Sequence, residues 1–553
     1  MKVSPIDYAI ISQAMHAVAS EMGAKLVRSA YSTILREARD GGAALLDSSG
    51  RVIAQADLIP IQLGPIGRTI QPCLDLFPAD TLQEGDFLIS NDPYNGGQHL
   101  PDVFIYTPIF FEGRVVGFSA SVAHHLDLGG GSAGLDSEAT DIFQEGLRIP
   151  PSRYHIDRDW NGGPFERLLM ANVRVPDLTL GDFNAQHAAN AVGVTRIRQL
   201  CEKYGAASVC EVMDEFINYT ERRMRSAISQ IPDGLYYGED AIDDDGVTDE
   251  PLEIKVKVEV RGEDVYVDFE GTCAQVPRNV NVPLSSTYAA VLSCIKSIVT
   301  SAEIPFNEGV NRPIHISAPL GSILNPQFPM PVRARLEGSY RAFGAIMRAL
   351  SAAVPDRVIA QGFDTTTAIC LSTQENRKFR VSLEVLGGGY GASAVHDGCD
   401  AVDSPLSNCS NTPIEVMDME YDYFRVSTYQ LEPESFGHGR FRGGAGFSRH
   451  YRILKDGVKL AIYSDRFRLR PNGLMGGTHG VPGYCQIHRG EQRIRIGSKD
   501  SFELRKGDIV EIFLGGGAGY GVPNERDKES VRADVREGLL SMQSANEVYG
   551  AGF

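Results

Sequence analysis

Three side chains with the chemistry of metal ligands lie close together in the sequence. His99 and Asp102 form a His-x-x-Asp pair, and His124 lies beyond the next apolar stretch. Imidazole nitrogens and carboxylate oxygens are common ligands of divalent metals. The pair alone is weak support for a metal site, because loops often hold such residues through local hydrogen bonds. The hypothesis therefore depends on whether the chain folds back and brings His124 beside the pair.

The stretch between these residues has the pattern of a β-hairpin. Residues 103–111 and 115–123 are apolar and rich in β-prone side chains. Glu112-Gly113 separates them, at the position where a two-residue turn is expected. The sequence therefore predicts two antiparallel strands whose outer ends carry the candidate ligands.

A two-residue turn also predicts the register of the two strands. It pairs Asp102 with Ala123 and places His124 opposite Pro101. Facing Cβ atoms in such a ladder lie about 5 Å apart. A shift of one residue would instead pair Asp102 with His124, and either register would let the three side chains share one metal ion.

Two further polar residues follow His124 in the sequence. His125 points to the opposite face of the sheet if the strand continues. Asp127 could join the metal ligands or orient a ligand histidine through a hydrogen bond.

The composition excludes several classes of function. A chain of 553 residues is too long for one core, and about two to four domains are expected. A net charge of −18 without a basic block argues against nucleic acid or an anionic membrane as a partner. Nine cysteines without a Cys-x-x-Cys pair indicate free thiols in a reducing compartment. The first residues lack the apolar core of a signal peptide and no apolar run is long enough to span a membrane, so a cytoplasmic protein is expected.

The helical and strand patterns divide the chain into parts. Ser4-Pro5 predicts the start of a long helix that ends near residues 36–40, and residues 183–231 are helical again. After these the period changes to two, which indicates strands. We therefore expect a multi-domain mixed α/β (α+β) protein, helix-rich at the front and strand-rich at the back. The predicted domains are 1–233 (metal-binding), 234–425 (mixed α/β) and 426–553 (β-rich).

Two glycine-rich segments could be mistaken for phosphate-binding loops. GGGYGAS at 387–393 and GGGAGYG at 515–521 are not followed by the lysine of a P-loop. Structural turns are the preferred interpretation, and we expect no nucleotide site on this chain.

Longer blocks of sequence point to a known family. The chain contains NDPYNGGQHLPDVFIYTPIFFEGRVVGF, AHHLDLGG, EGLRIPPS, GRFRGGAGF and PNGLMGGTHGVPG. These blocks closely resemble the hydantoinase B / 5-oxoprolinase family, and the match covers nearly the whole chain. The resemblance implies a subunit that works with a separate hydantoinase A-type subunit, which binds ATP with Mg²⁺. Such complexes hydrolyse cyclic amides, namely hydantoins, 5-oxoproline or lactams such as caprolactam.

The resemblance also implies a set of metal ligands. In the family they are an aspartate after the first long helix, the His-x-x-Asp pair and the histidine after the hairpin. Here these positions are Asp40, His99, Asp102 and His124. Two glycines follow Asp40 where the family has bulkier residues, so a different pocket wall is expected. Two histidines and two carboxylates suit Zn²⁺, Mn²⁺ or Fe²⁺, and we expect zinc first and manganese second.

The implied mechanism divides the work between two subunits. The partner's ATP site phosphorylates the amide oxygen, and the metal site of this chain then makes water nucleophilic near neutral pH. His125 or Asp127 would move the proton. The expected assembly is an α2β2 hetero-oligomer that acts on a small cyclic amide. Two alternatives stay open, a subunit of an ATP-dependent ketone carboxylase of the acetone or acetophenone type, and a non-catalytic scaffold that shapes the partner's active site.

Overall fold

The fold combines helices with four β-sheets in a computed structural model that describes residues 3–299, 303–403, 405–550 and 552. The α-helices are α1 Pro5–Ser29, α2 Thr33–Arg36, α3 Pro60–Leu63, α4 Pro65–Leu76, α5 Ile156–Asp159, α6 Pro164–Ala171, α7 Pro176–Tyr204, α8 Ala206–Ile228, α9 Leu284–Val299, α10 Glu308–Asn311, α11 Arg335–Leu350, α12 Ile414–Glu420, α13 Lys528–Arg536 and α14 Met542–Tyr549. The strands are β1 Gly41–Asp47, β2 Val52–Gln55, β3 Asp86–Ser90, β4 Asp102–Phe111, β5 Arg114–His124, β6 Ser152–His155, β7 Gly234–Ile242, β8 Leu252–Arg261, β9 Asp264–Asp268, β10 Ile314–Ser317, β11 Thr367–Glu375, β12 Lys378–Leu386, β13 Phe424–Leu431, β14 Phe447–Ile453, β15 Val458–Tyr463, β16 Tyr484–Arg489, β17 Gln492–Ile496, β18 Lys499–Leu504 and β19 Ile509–Leu514. The long helices at the front and short strands at the back confirm the predicted multi-domain α+β class.

The N-terminal helix begins as predicted but ends earlier. The Ser4 side chain caps α1, as its position before a proline suggested. The predicted end near residues 36–40 is wrong, because α1 stops at Ser29 and the short helix α2 follows. The backbone N–H of Ser32 donates to Asp182 Oδ1 of α7 at 3.1 Å. That contact joins residues 150 positions apart, so helical periodicity could not reveal it.

The predicted hairpin, β4 and β5, lies in the middle of a six-stranded sheet. The strand order is β2-β1-β5-β4-β3-β6, and neighbouring strands are antiparallel. The long helices α1 and α7 pack on one face of the sheet, and α4 covers the other. Because both faces are covered, β4 and β5 are buried along most of their length. This packing fixes the strand ends that carry the candidate ligands.

A β-bulge sets the register of the hairpin. Glu112 and Gly113 have positive φ angles of 49° and 74°, which is the backbone of a type I′ turn. The turn keeps the predicted pairing only for the first residues, because the register shifts by one next to Ile109. Asp102 therefore pairs with His124, and the register expected from the turn alone is wrong at the outer end. A bulge leaves no clear trace in the alternation of apolar residues.

Three further sheets form the middle and C-terminal parts of the described chain. One has the order β10-β9-β8-β7 and packs against α9 and α11. The other two, β12-β11-β15-β18 and β13-β14-β19-β16-β17, pack face to face around a shared apolar core. The first of this pair draws strands from both sides of residue 425. The domain divisions at residues 233 and 425 stay predictions. The sequence pattern does not show which strands pair, so it could not indicate that one sheet spans residue 425.

The two glycine-rich segments pack against other backbone segments. The Gly389 N–H donates to the Gly515 carbonyl at 2.9 Å, and the Gly517 N–H donates to the Gly444 carbonyl at 3.0 Å. A Cβ atom on Gly389 would lie 1.9 Å from the Gly444 carbonyl oxygen. Only glycine allows backbones to approach so closely. The segments are structural, as the absence of a P-loop lysine predicted.

The cysteines agree with the free thiols that the composition predicted. All nine cysteines are free thiols, and all except Cys399 are buried or half-buried. No helix within the described ranges is both long enough and apolar enough to cross a membrane.

Candidate metal centre

The hairpin register and the loop before β4 bring three predicted ligands together. One ligand atom each from His99, Asp102 and His124 lies within 4.8 Å of the others, and all three residues are buried. The two imidazole rings lie 5.1 Å apart between centroids. The His99 Nε2 atom lies 3.1 Å from Asp102 Oδ1. This is a compact set of two nitrogens and one oxygen, suited to one small cation.

Three buried atoms of this cluster have no hydrogen-bond partner of good geometry. They are His99 Nε2, Asp102 Oδ1 and His124 Nδ1. A buried polar atom without a partner destabilises the fold by about 1–3 kcal/mol. Three such atoms at one point are explained if they bind a ligand, and their chemistry fits a divalent metal.

The charges of the three residues also suit a metal. Burial, together with the positive charge of the neighbouring Arg335, lowers the pKa of His99 to about 4. Burial also holds the pKa of His124 well below its ordinary value. Burial alone would raise the pKa of Asp102, but His99 and Arg335 outweigh it and hold this pKa below the ordinary value. Near neutral pH the cluster therefore offers two neutral imidazoles and one carboxylate, which are the forms that bind metals.

Asp40, the fourth predicted ligand, lies beside the cluster. It precedes β1, and its backbone carbonyl accepts a hydrogen bond of 3.0 Å from the His124 N–H. Burial raises the pKa of its carboxyl to about 7, and the charge of Asp102 contributes in the same direction. Asp40 lines the same cavity as His99 and His124 but is not one of the three residues whose ligand atoms converge. Its role as a ligand stays a prediction, supported by this proximity.

An arginine that the sequence analysis did not identify contacts two of the ligands. Arg335 donates from Nη2 to Asp102 Oδ2 at 2.6 Å and from Nε to Gln98 Oε1 at 3.1 Å. Its Nη1 lies 3.1 Å from His99 Nδ1. Arg335 thereby occupies one oxygen of Asp102 and leaves the other free. No local pattern could have indicated it, because Arg335 lies 233 positions after Asp102.

The orientation of His99 is fixed from the same side. Its Nδ1 atom lies 3.0 Å from the backbone carbonyl of Arg333. In the tautomer that donates this hydrogen bond from Nδ1, the lone pair of Nε2 is free to bind a metal. Glu145 in turn accepts hydrogen bonds from the N–H groups of Val332 and Arg333 at 2.9 and 2.8 Å. Glu145 is therefore connected through the backbone of Arg333 to Nδ1 of His99.

The cluster opens into a small cavity of about 50 Å³. Its polar wall includes Asp40, the two histidines and the first turn of α11, where Glu337 lies. Its opposite wall is apolar and includes Leu383 and Val385 of β12. The burial of His99, Asp102 and His124 lowers the local dielectric constant, which strengthens electrostatic interactions among them.

His125 and Asp127, the predicted proton-transfer residues, lie outside this cavity. His125 Nε2 lies 3.0 Å from Gln186 Oε1, and its ring stacks on Phe183 with centroids 4.0 Å apart. Asp127 forms an ion pair of 2.9 Å with Arg174 and accepts the Arg174 backbone N–H at 2.6 Å. No contact in the described structure supports a role in proton transfer for either residue, which stays a prediction.

Comparison with known proteins places the chain in a family. Residues 4–523 match the sequence model described as Hydantoinase B/oxoprolinase. The B subunit of a putative D-/L-hydantoinase from Pseudomonas sp. (strain NS671) is 34% identical, covering 99% of this chain and 95% of that protein. The crystal structure of an ATP-dependent caprolactamase from Pseudomonas jessenii has a TM-score of 0.91 at 27% identity, covering 100% of this chain and 96% of that chain.

A nucleotide-free acetone carboxylase structure has a TM-score of 0.89 at 18% identity, covering 99% of this chain and 79% of that chain. At that identity the likeness shows a common fold alone. The family match extends over almost the whole chain and agrees with the blocks recognised in the sequence. The chain therefore belongs to the Hydantoinase B/oxoprolinase family.

Proposed function

We propose that this chain is the metal-bearing subunit of an ATP-dependent enzyme that hydrolyses a cyclic amide. The observation that carries the proposal is the convergence of three buried, unpartnered ligand atoms from His99, Asp102 and His124. Membership of the Hydantoinase B/oxoprolinase family and the similarity to a hydantoinase subunit and a caprolactamase support the reaction class.

The ATP site belongs to a partner subunit in this proposal. The name of the hydantoinase relative describes it as one subunit of an enzyme, which implies a second subunit. The packing of glycines in the two glycine-rich segments against other backbone segments supports this assignment. We assign ATP with Mg²⁺ to a hydantoinase A-type partner, in an assembly of α2β2 stoichiometry.

The residues of the cluster fit a divalent metal. His99, Asp102 and His124 would hold it, with Asp40 as the fourth ligand. When bound, such a metal supplies Lewis acidity that makes water a nucleophile near neutral pH. We propose zinc as the first candidate and manganese as the second, since two imidazoles and two carboxylates suit either ion.

The chain's own residues prepare this site. Arg335 holds one oxygen of Asp102, so the other oxygen faces the histidines. The Arg333 carbonyl fixes the ring of His99. The apolar residues Leu383 and Val385 would limit the access of bulk water to a substrate activated by phosphorylation. A neutral amide is a poor electrophile, and phosphorylation of its oxygen at the partner's site makes the ring carbon susceptible to attack by water.

The proposal is tested by producing the chain together with its A-type partner. ATP-dependent ring opening is measured with hydantoin, 5-oxoproline and caprolactam, and ketone carboxylation is measured with acetophenone and bicarbonate. We expect ATP-dependent opening of at least one ring and none in the His99→Ala complex. Turnover of the ketone alone would establish a carboxylase instead. Unchanged ring opening in His99→Ala, with the metal lost, would show that this chain is a scaffold.

A further inference from the structure

One carboxyl oxygen of a residue in the cavity wall has no hydrogen-bond partner. Glu337 lies in the first turn of α11 and its side chain is buried, with 1% of the residue exposed. Its Oε2 atom has no hydrogen-bond partner. The same cavity is lined by Asp40, His99 and His124. A buried acceptor without a partner in this wall is in place to exchange a proton with a molecule in the cavity.

The cations nearest to Glu337 are shared with other carboxylates. Lys499 lies 3.4 Å from Asp465, and Arg341 lies 3.9 Å from Asp465 and 3.8 Å from Asp240. Arg341 also donates a hydrogen bond to Glu337, but to its backbone carbonyl and not to its carboxyl group. The hydroxyl of Tyr463 also lines the cavity. None of these groups neutralises the Glu337 carboxyl by a direct ion pair in the described structure.

Glu337 belongs to a buried cluster with more acids than bases. The described members are the bases Arg341, Arg466 and Lys499 and the acids Glu337, Asp240, Asp243, Asp244, Asp364 and Asp465. Asp244 is half-buried and also pairs with Arg468, so the fully buried members are three bases and five acids. Burial raises the pKa of Glu337 to about 7 and those of Asp243 and Asp364 to about 6.

The cluster extends from the cavity to the protein surface. Arg466 binds Asp240 at 2.9 Å. Both residues line an open groove of about 430 Å³, together with Arg348 and His479. The cluster therefore has one member at the cavity, Glu337, and another at the groove, Asp240.

Other ionisable groups of the cavity wall are less suited to proton exchange. Arg333 and Arg335 carry guanidinium groups, which have no acceptor atom for a proton. Burial holds the pKa of Tyr463 well above its ordinary value. His125 and Asp127 do not reach the cavity.

We propose that Glu337 is the proton-transfer residue of this site, an assignment that rests on the proposed function. The oxygen of the attacking water forms a bond to the ring carbon that bears the phosphorylated oxygen, while a water proton passes to the Glu337 carboxylate. The π-electron pair of the C=N bond moves to nitrogen, which receives that proton. The remaining water proton is then transferred through Glu337 to the nitrogen. The C–N bond breaks, and its electron pair stays on nitrogen. The products are a free amine and an acyl phosphate, which a second water converts to carboxylate and phosphate.

The test uses the wild-type complex and three variants of this chain. Glu337→Gln keeps the size of the side chain but cannot exchange the proton, and Glu337→Asp restores a carboxyl. Glu263→Gln, in an exposed turn, is the matched control. Ring opening is followed from about pH 5.5 to 9 with the most active substrate, and metal content is measured at each pH, because Asp40 also titrates near neutrality in the metal-free protein.

We expect Glu337→Gln to lower kcat by about 100-fold or more, with little change in KM or metal content. Wild-type kcat should rise with pH to a plateau above about 7, because only the carboxylate accepts a proton, and the variant should lose this rise. Glu337→Asp should recover part of kcat, and Glu263→Gln should match the wild type.

Two results would overturn the assignment. One is a Glu337→Gln complex that keeps kcat within about twofold of wild type together with the same pH profile. The other is a variant whose activity falls only in proportion to lost metal or lost folded protein, which would make Glu337 structural. Absence of ring opening in the wild-type complex is a different outcome, since it would remove the proposed function itself.

Discussion

The two faces at the end of β5 contain adjacent buried histidines in different surroundings. On the first face, the free atoms of His124, His99 and Asp102 converge on one point. On the second face, His125 contacts Gln186 and stacks on Phe183, and only its Nδ1 atom is left without a partner. A single unpartnered nitrogen is therefore not a sign of a site. Convergence of several such atoms is the informative feature.

The carboxylates of the two faces show the same difference. Asp127 uses both oxygens, since it binds the Arg174 guanidinium and accepts backbone N–H groups on either oxygen. Asp102 binds the Arg335 guanidinium through one oxygen only and presents the other to the histidines. Each face contains an aspartate–arginine pair, but only the first keeps ligand atoms available.

The largest expected effect separates His99 from His125. His99→Ala removes a ligand, so ATP-dependent ring opening should fall by more than about 100-fold, with loss of bound metal. His125→Ala is the matched control for removal of a buried imidazole. It should keep the metal content of the wild type. Equal loss of metal in both variants would mean that the two faces do not differ in function.

The next effect concerns the two arginines. Arg335→Gln should weaken metal binding by about 10- to 100-fold, measured by titration calorimetry, because Asp102 loses the group that orients it. The matched change Arg174→Gln should leave metal affinity unaltered. Tighter metal binding by Arg335→Gln would show that charge repulsion from Arg335 outweighs its orienting role.

The second face should instead contribute to stability. His125→Ala removes a ring stacked on Phe183 and leaves Gln186 without its partner. The free energy of unfolding should fall by about 2–4 kcal/mol, measured by denaturant titration. A decrease below about 0.5 kcal/mol would show that this ring is not part of the supporting structure.

A smaller effect on the first face depends on pH. Burial raises the pKa of Glu145 from 4.5 to about 8. Because the folded state binds this proton more tightly than the unfolded state, the contribution is present at low pH and is lost as pH rises towards about 8. Thermal denaturation should show a lower midpoint at about pH 8.5 than at about pH 6, and Glu145→Gln should reduce this difference. If the thermal midpoint of Glu145→Gln depended on pH in the same way as that of the wild type, the pH effect would not come from Glu145.

The sequence predicted the first face better than its surroundings. The hairpin and three ligands followed from local patterns, because residues close in sequence meet across a tight turn. The exact pairing did not, since the bulge beside Ile109 shifts the register. Asp40 came only from the family resemblance. Arg335 and Glu337 could not be found, because α11 reaches the site from more than 200 positions away and carries no motif.

The fold shows the same limit of local information. The start of α1 was predictable because Ser4 and Pro5 act on their own helix. Its end was not predictable, because the backbone N–H of Ser32 donates to Asp182, which lies in another helix. The predicted α+β class was correct despite such errors, because it depends on the type of each helix or strand and not on which elements pack together.

Elemental analysis of the purified complex tests the central claim most directly. The wild-type chain should contain about one zinc or manganese ion beyond any magnesium of the partner, and the His124→Ala chain should contain almost none. Retention of the same metal by His124→Ala, or full ring-opening activity in a wild-type complex stripped of divalent transition metal, would contradict the account.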